Sequence, residues 1–194
     1  MRFCREVAAA SIDEAVRAAE DIGYPVVVKT DAPAVTHKTE VGGVALGLRD
    51  EAAVRVACRQ IATRAGSERF LVQGQVGPGV ELLLGGRRDE SFGPVVAVGA
   101  GGVLTEVARA TSVRLAPLGE EDIDEMLDEG ALPRLLAGPR GLPPVDRATL
   151  AQAIHALGDL LVAEPRVLEV DVNPLIAAGT QLIAVDALVI VGSG

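Results

Sequence analysis

Residues 23–44, GYPVVVKTDAPAVTHKTEVGGV, carry a lysine at the end of an apolar run, a histidine and second lysine in a polar segment, then two glycines. Lys29 closing a strand, followed by a loop with His37 and Lys38 that ends on Gly42 and Gly43, is what a bound polyphosphate requires. Fixed positive charge must face the anionic oxygens, and the backbone must be bare enough to approach them. The competing reading is an ordinary strand–turn–strand with a solvated lysine, because short glycine motifs often match by chance.

The second chemistry-bearing stretch is LEVDVNPL at 168–175. Alternation in a strand puts Glu169, Asp171 and Asn173 on one face and turns Leu168, Val170 and Val172 to the core. Three oxygen-bearing side chains in a row are either a solvated edge or hard ligands for Mg²⁺. Thirteen residues beyond Asn173, Asp186 sits in the apolar run LIAVDALV, where a carboxylate is costly unless paired or metal-bound. If the last two strands form a hairpin about Gly179, Asn173 and Asp186 meet at its open end, which favours the metal reading.

Other motifs are less telling. Gly99, Gly101 and Gly102 do not make a dinucleotide fingerprint, because Leu104 occupies the third glycine position. Close strand packing and backbone access to a ligand both remain open there. No Walker A pattern is present. His155 falls on a long helix and reads as structural or exposed.

The elements that must position these residues can be outlined. Residues 3–9 read as a short edge strand. SIDE at 11–14 is a capping box opening a helix that Gly23 ends. Residues 26–29 form a strand buried on both faces, and 43–48 a second one. Asp50 caps a helix over Glu51–Ala65, and 70–73 is a further strand. Strands at 80–84 and 94–98 pair through a charged turn of Arg87, Arg88, Asp89 and Glu90. Strands at 103–108 and 112–115 follow, then helices over Glu120–Asp128 and 132–137, and a Pro/Gly-rich loop at 138–144. Asp146 caps the longest helix, with Leu150, Ile154, Leu157 and Leu161 on one stripe. Strands at 167–172 and 182–185 finish the chain. This is not strict βα alternation; it is an α+β chain, with a small mixed lobe over about 1–75 and a larger antiparallel lobe over about 76–194.

Composition narrows the function classes. The net charge of −9 argues against nucleic acid or an anionic membrane surface as a partner. With no Trp, three Phe and one Tyr, the core must be built from Val, Leu, Ile and Ala. Cys4 and Cys58 lack metal-ligand spacing, and Cys58 reads as a buried free thiol. No apolar run approaches the roughly 20 residues of a membrane span, and residues 1–10 lack the apolar core of a signal peptide. A soluble, cytoplasmic protein is expected.

Several stretches together resemble the ATP-grasp domain of NDP-forming acyl-CoA synthetases, the β component related to the succinyl-CoA synthetase β chain. They are GYPVVVK, HKTEVGGV, Arg88-Asp89 with Phe92-Gly93-Pro94, VRLAPL at 113–118, and LEVDVNPL followed by Val185-Asp186-Ala187, in order over nearly the whole chain. The resemblance implies an ATP-grasp fold and an acid–thiol ligase that interconverts acyl-CoA, ADP and phosphate with acid, CoA and ATP. It implies that Lys29 contacts the nucleotide, that Gly42 and Gly43 cover its triphosphate, and that Lys38 adds charge to the loop. Asn173 and Asp186 match the Mg²⁺ ligands, and His37 matches a histidine that passes phosphate between subunits. Where the family has VQEM, this chain has Val72-Gln73-Gly74-Gln75, so the hinge carboxylate near the nucleotide sugar is absent. Gln73, Gln75 and the substitute carboxylate Glu81 are the nucleotide candidates in that region. A separate CoA-binding α-type subunit is implied, in a hetero-oligomer. A carboxylate–amine ligase and a non-catalytic scaffold subunit are the alternatives.

Overall fold

Two hydrophobic cores form among the described residues, which are 1–32, 42–102 and 111–192 of the computed structural model. They belong to two units: Cys4–Val76, and Gly77–Gly194 together with Met1–Phe3. The expected strand at 103–108 lies outside the described residues.

In the Cys4–Val76 unit, four strands run in the order β2–β5–β3–β4, with β2 at Glu6–Ala9, β3 at Val26–Thr30, β4 at Val44–Leu48 and β5 at Phe70–Gly74. Each pairing is antiparallel. Helices α1 (Ile12–Ile22) and α2 (Glu51–Ala65) start where the sequence supplies caps. The Glu14 amide donates to Ser11 Oγ (3.2 Å), and the Ala53 amide to Asp50 Oδ1 (2.8 Å), satisfying donors that a helix start leaves open. Val26, Val28, Phe70 and Val72 alternate onto the face that meets Ala15, Ala19, Val54 and Ile61 of the helices. Cys58 is a free thiol in this core, its pKa pushed up to about 11 by burial.

The second unit has a seven-stranded sheet among the described residues, ordered β1–β10–β9–β6–β7–β8, with β11 also on β9. The strands are β1 (Arg2–Phe3), β6 (Val80–Asp89), β7 (Gly93–Ala100), β8 (Thr111–Leu115), β9 (Val167–Ala178), β10 (Gln181–Ala184) and β11 (Ala187–Val191). Helices α3 (Glu120–Asp128), α4 (Leu132–Leu136) and α5 (Arg147–Ala163) bury their apolar sides in its core. The α5 stripe of Leu150, Ile154, Leu157 and Leu161 is buried throughout, each side chain contributing about 1.5–3 kcal/mol of apolar transfer. Among the described residues no helix is long and apolar enough to cross a membrane.

Three expectations are corrected. Residues 3–9 are not one strand: Arg2–Phe3 pairs parallel with β10, while Glu6–Ala9 joins the other sheet. Arg87, Arg88 and Asp89 are not turn residues but extend β6, in register with β7 down to Asp89 opposite Gly93. The turn closes because Asp89 Oδ1 accepts from the Ser91 and Phe92 amides at 2.9 and 3.1 Å, an Asx turn in which those bonds hold its carboxyl below the usual range. Finally, the strand expected at 182–185 is not the last: a further one, Ala187–Val191, follows it and pairs with β9.

Candidate functional site

In the Cys4–Val76 unit, alternation leaves one sheet face clear of the helices, and it carries the polar residues. Gln73 stands opposite Val27, and Lys29 follows Val27 by two, so Lys29 and Gln73 share that face. They are 6% and 2% exposed, a degree of burial such groups reach only when paired. Glu6, on the edge strand, is opposite Gln73, and its Oε2 accepts from Gln73 Nε2 at 2.5 Å. The sequence reading passed Glu6 over; the signal was weak, since the two residues lie 67 positions apart.

The glycine pair returns to the end of β3. The Thr30 amide donates to the Gly43 carbonyl (2.7 Å), and Arg64, in the last turn of α2, reaches the Gly42 carbonyl (3.5 Å). Gly42 has φ +64°, and a Cβ there would lie 2.8 Å from the Arg64 guanidinium, so the position requires glycine. His37 and Lys38 lie outside the described residues. Gln75 Oε1 accepts from the Gly47 amide (2.8 Å), tying the segment after β5 to β4.

In the second unit, Asn173 and Asp186 are neighbours. The Asn173 amide donates to the Asp186 carbonyl (3.2 Å), and the Val185 amide to the Pro174 carbonyl (3.1 Å), at the junction of β10 and β11. Asn173 Oδ1 accepts from the Gly102 amide (3.1 Å). Glu81 lies against Gly102, where any Cβ would overlap its carboxylate. Gly101 packs on the Leu82 backbone, with a Cβ there only 2.4 Å from the carbonyl oxygen. Gly101 therefore serves close packing, and Gly102 gives its amide to Asn173.

Strict alternation does not run through β9. Leu84 pairs with Val172 and Leu82 with Leu175, so Asn173 and Pro174 together face one residue of β6. This bulge switches the core parity from Val170 and Val172 to Leu175 and Ala177, leaving Asn173 half-buried. Leu168, expected in the core, is 41% exposed. Asp171 lies opposite Gly85, on the wall of a hollow of about 570 Å³ also lined by Glu169, Phe92, Val113 and Leu115. Burial raises its carboxyl above the ordinary aspartate range, and the charges of Glu169 and Asp186 push the same way.

Among the described residues, no three or more His, Cys, Asp or Glu converge as a metal cage. The donors present fit Mg²⁺ nonetheless. They are hard oxygens, and Mg²⁺ takes one or two protein ligands and fills its shell with water and phosphate oxygens. Asn173 Oδ1 keeps a second lone pair beyond the Gly102 bond. The negative charge that disfavours ionised Asp171 is of the kind a divalent cation offsets. His155 is exposed and pairs with Asp159 at 3.1 Å, apart from these donors.

A mostly antiparallel sheet carrying Asn173 and Asp186 on one unit, and a strand ending near Lys29 with a glycine pair on the other, are the parts of an ATP-grasp protein. Residues 1–191 match the family model described as ATP-grasp domain, and the chain belongs to that family. It is homologous to the β subunit of ADP-forming acetate–CoA ligase I of Pyrococcus furiosus, with 36% identity over 185 residues, 92% of this chain and 80% of that one. It is 36% identical over 190 residues to ADP-forming acetate–CoA ligase I of Archaeoglobus fulgidus, but spans only 28% of that protein's length. Among solved structures, the dinucleotide-forming acetyl-coenzyme A synthetase 1 of Ca. Korarchaeum cryptofilum, in complex with coenzyme A, Ca-AMPCP and HgCl⁺, superposes with a TM-score of 0.90. Identity to it is 40%, covering 98% of this chain and 86% of that one. The same protein is also solved with coenzyme A and Mg-AMPPCP, its phosphohistidine segment pointing towards the nucleotide binding site.

Proposed function

We propose that this chain is the nucleotide-binding component of an ADP-forming acyl-CoA synthetase, working with a separate CoA-binding α-type subunit. The observation that carries the reading is the Asn173–Asp186 pair, joined backbone to backbone and oriented by Gly102, within a chain homologous to ADP-forming acetate–CoA ligase β subunits. Lys29 neutralises phosphate oxygens of ATP or ADP, and the Gly42–Gly43 backbone approaches them. Asn173 and Asp186 hold Mg²⁺, which supplies charge neutralisation for the transferred phosphoryl group. Gln73 contacts the nucleotide, Gln75 holds the segment after β5, and Glu81 stands in for the missing hinge carboxylate. His37 carries the phosphoryl group between the nucleotide and the partner subunit, with Lys38 adding charge.

The test is reconstitution. Purified chain plus a CoA-binding α-type subunit should form ATP from acyl-CoA, ADP and phosphate, and the chain alone should not. Acyl-CoA turnover by the chain alone, or none with any α-type partner, counts against the proposal. Gly74, which removes the hinge carboxylate, favours a second reading, a scaffold subunit that binds its partner without handling nucleotide. That reading predicts no thermal shift with Mg-ATP in either wild type or Asp186→Ala.

A further inference from the structure

We propose that Arg69 is a positioning residue that holds the Asp31 carboxylate away from nucleotide phosphates at Lys29; this rests on the nucleotide-binding reading above. Thr30 is opposite Phe70 in the β3–β5 ladder, and the Asp31 amide extends that ladder by donating to the Arg69 carbonyl (2.9 Å). Asp31 and Arg69 are thus neighbours across the two strands, and Arg69 Nη2 reaches Asp31 Oδ2 at 3.1 Å. Alternation decides the face. Phe70 is buried in the helix-side core, so Thr30 opposite it turns the same way, and alternation carries Lys29 and Asp31 to the other face. Two residues of extended chain put about 7 Å between their α-carbons. Between them, the Thr30 amide donates to the Gly43 carbonyl, which brings the glycine return to the same end of β3.

A carboxylate at that distance matters to a polyphosphate. An uncompensated Asp31 would repel the phosphates and compete with them for the Lys29 ammonium. In a chain of net charge −9, it would add to a field that already opposes an anionic ligand. Arg69 offsets the charge and sets its direction. It stands on the β5 side of β3, whereas the glycine return arrives on the β4 side, so the carboxylate is drawn away from the backbone that would face the phosphates. The turn carrying Arg69 is braced, because Gly66 ends α2 with φ +63° and Ser67 Oγ accepts from the Arg69 amide at 3.2 Å. Stability is not the use of this pair: the side chains of Arg69 and Asp31 are 63% and 35% exposed, and exposed ion pairs add little to folding. Its effect is on the charge at the end of β3, which is neutral with Arg69 in place and negative without it.

The experiment measures Mg-ADP binding to the full chain by titration calorimetry, for wild type, Arg69→Ala, Asp31→Asn and the double variant. Arg69→Ala should weaken binding by about 3–10-fold, the scale of one unit charge set near a phosphate at a protein surface. Asp31→Asn should bind as wild type does or up to about 3-fold tighter, because the repelling charge is gone and Arg69 remains. The double variant should return to within about 2-fold of wild type. The loss in Arg69→Ala should also shrink between about 0.1 M and about 1 M salt, as the screening length falls from about 10 Å to about 3 Å. Arg69→Gln keeps a donor for Asp31 without the charge, and its weaker binding decides if the alanine variant unfolds. A merely structural pair gives another pattern. Each single variant then breaks the same bond, so Asp31→Asn weakens binding as much as Arg69→Ala, and the double variant is no better. That pattern, or no loss in Arg69→Ala, overturns the inference and leaves the nucleotide reading intact. Failure of wild type to bind Mg-ADP overturns both.

Discussion

The Gly102 amide donates to Asn173 Oδ1 across 3.1 Å, which orients the Asn173 side chain while the Asn173 backbone amide bonds the Asp186 carbonyl. If Asn173 holds Mg²⁺ as proposed, Asn173→Ala removes that oxygen together with its bond to the Gly102 amide, whereas Asn173→Asp keeps an acceptor for Gly102 and an oxygen for the metal. Asn173→Ala should lose at least the about 10–100-fold in metal-dependent turnover that loss of a supporting partner costs at metal sites. Asn173→Asp should retain most of it at raised Mg²⁺. Equal activity in the two variants, measured over a Mg²⁺ titration, would rule out Asn173 as a ligand.

Asp171 offers a test in stability. Its folded-state carboxyl is raised, first by burial and then by Glu169 and Asp186, so the folded chain binds that proton more tightly than the unfolded chain does. The resulting stabilisation is fully present below the ordinary aspartate range and is lost as pH rises through the raised folded value. Near neutrality the ionised side chain is therefore a liability, and Asp171→Asn should melt higher than wild type there. The gain should shrink to nothing as pH falls below the usual aspartate range, and added Mg²⁺ should narrow it at pH 7. Thermal melts of both proteins across that pH series decide the matter; a gain independent of pH would mean a packing effect instead.

Two glycines of the second unit should part company on substitution. A Cβ at Gly101 would sit 2.4 Å from the Leu82 carbonyl oxygen, and backbone cannot step aside as a side chain can. Gly101→Ala should cost about 1–3 kcal/mol and, by moving Gly102 off Asn173, weaken the Mg-nucleotide thermal shift. Gly77 has nothing within 4 Å and no positive φ, so Gly77→Ala should be neutral or stabilising by up to about 1 kcal/mol. Urea unfolding of the two variants side by side would expose an error if Gly101→Ala proved harmless.

What the sequence revealed and what it hid divide along the range of the interactions. Ser11, Asp50 and Asp146 cap helices through bonds to residues three positions on, and all three were readable because nothing distant intervenes. The nearness of Asn173 and Asp186 was readable too, because a single hairpin about Gly179 joins them. The bulge at Asn173 and Pro174 was hidden, since strict alternation in β9 fails only where β6, some 90 positions earlier in the chain, pairs two residues with one. Charge made Arg87, Arg88 and Asp89 look like a turn, although strand pairing with β7 overrides that local preference. Glu6 was invisible as a partner of Gln73 until the edge strand's register was fixed.

Gly42 and Arg64 provide a last, separable prediction about the glycine return. Gly42→Ala faces two penalties: φ +64° is disfavoured for a residue with a Cβ, and that Cβ would meet the Arg64 guanidinium at 2.8 Å and its Cδ at 3.1 Å. The first penalty is worth about 1–2 kcal/mol and belongs to the backbone alone. The second belongs to a flexible side chain that can withdraw, at the expense of its bond to the Gly42 carbonyl. A double-mutant cycle separates them. Arg64→Ala alone should barely change stability, since the bond is exposed and long. In the Arg64→Ala background, Gly42→Ala should still cost about 1–2 kcal/mol, because φ is unchanged. On the proposed reading, nucleotide binding should fall in both Gly42→Ala proteins, as the backbone amides that would face the phosphates are displaced. If Arg64→Ala fully rescued Gly42→Ala in chemical unfolding, the left-handed backbone at Gly42 would carry no penalty and its need for glycine would be steric alone.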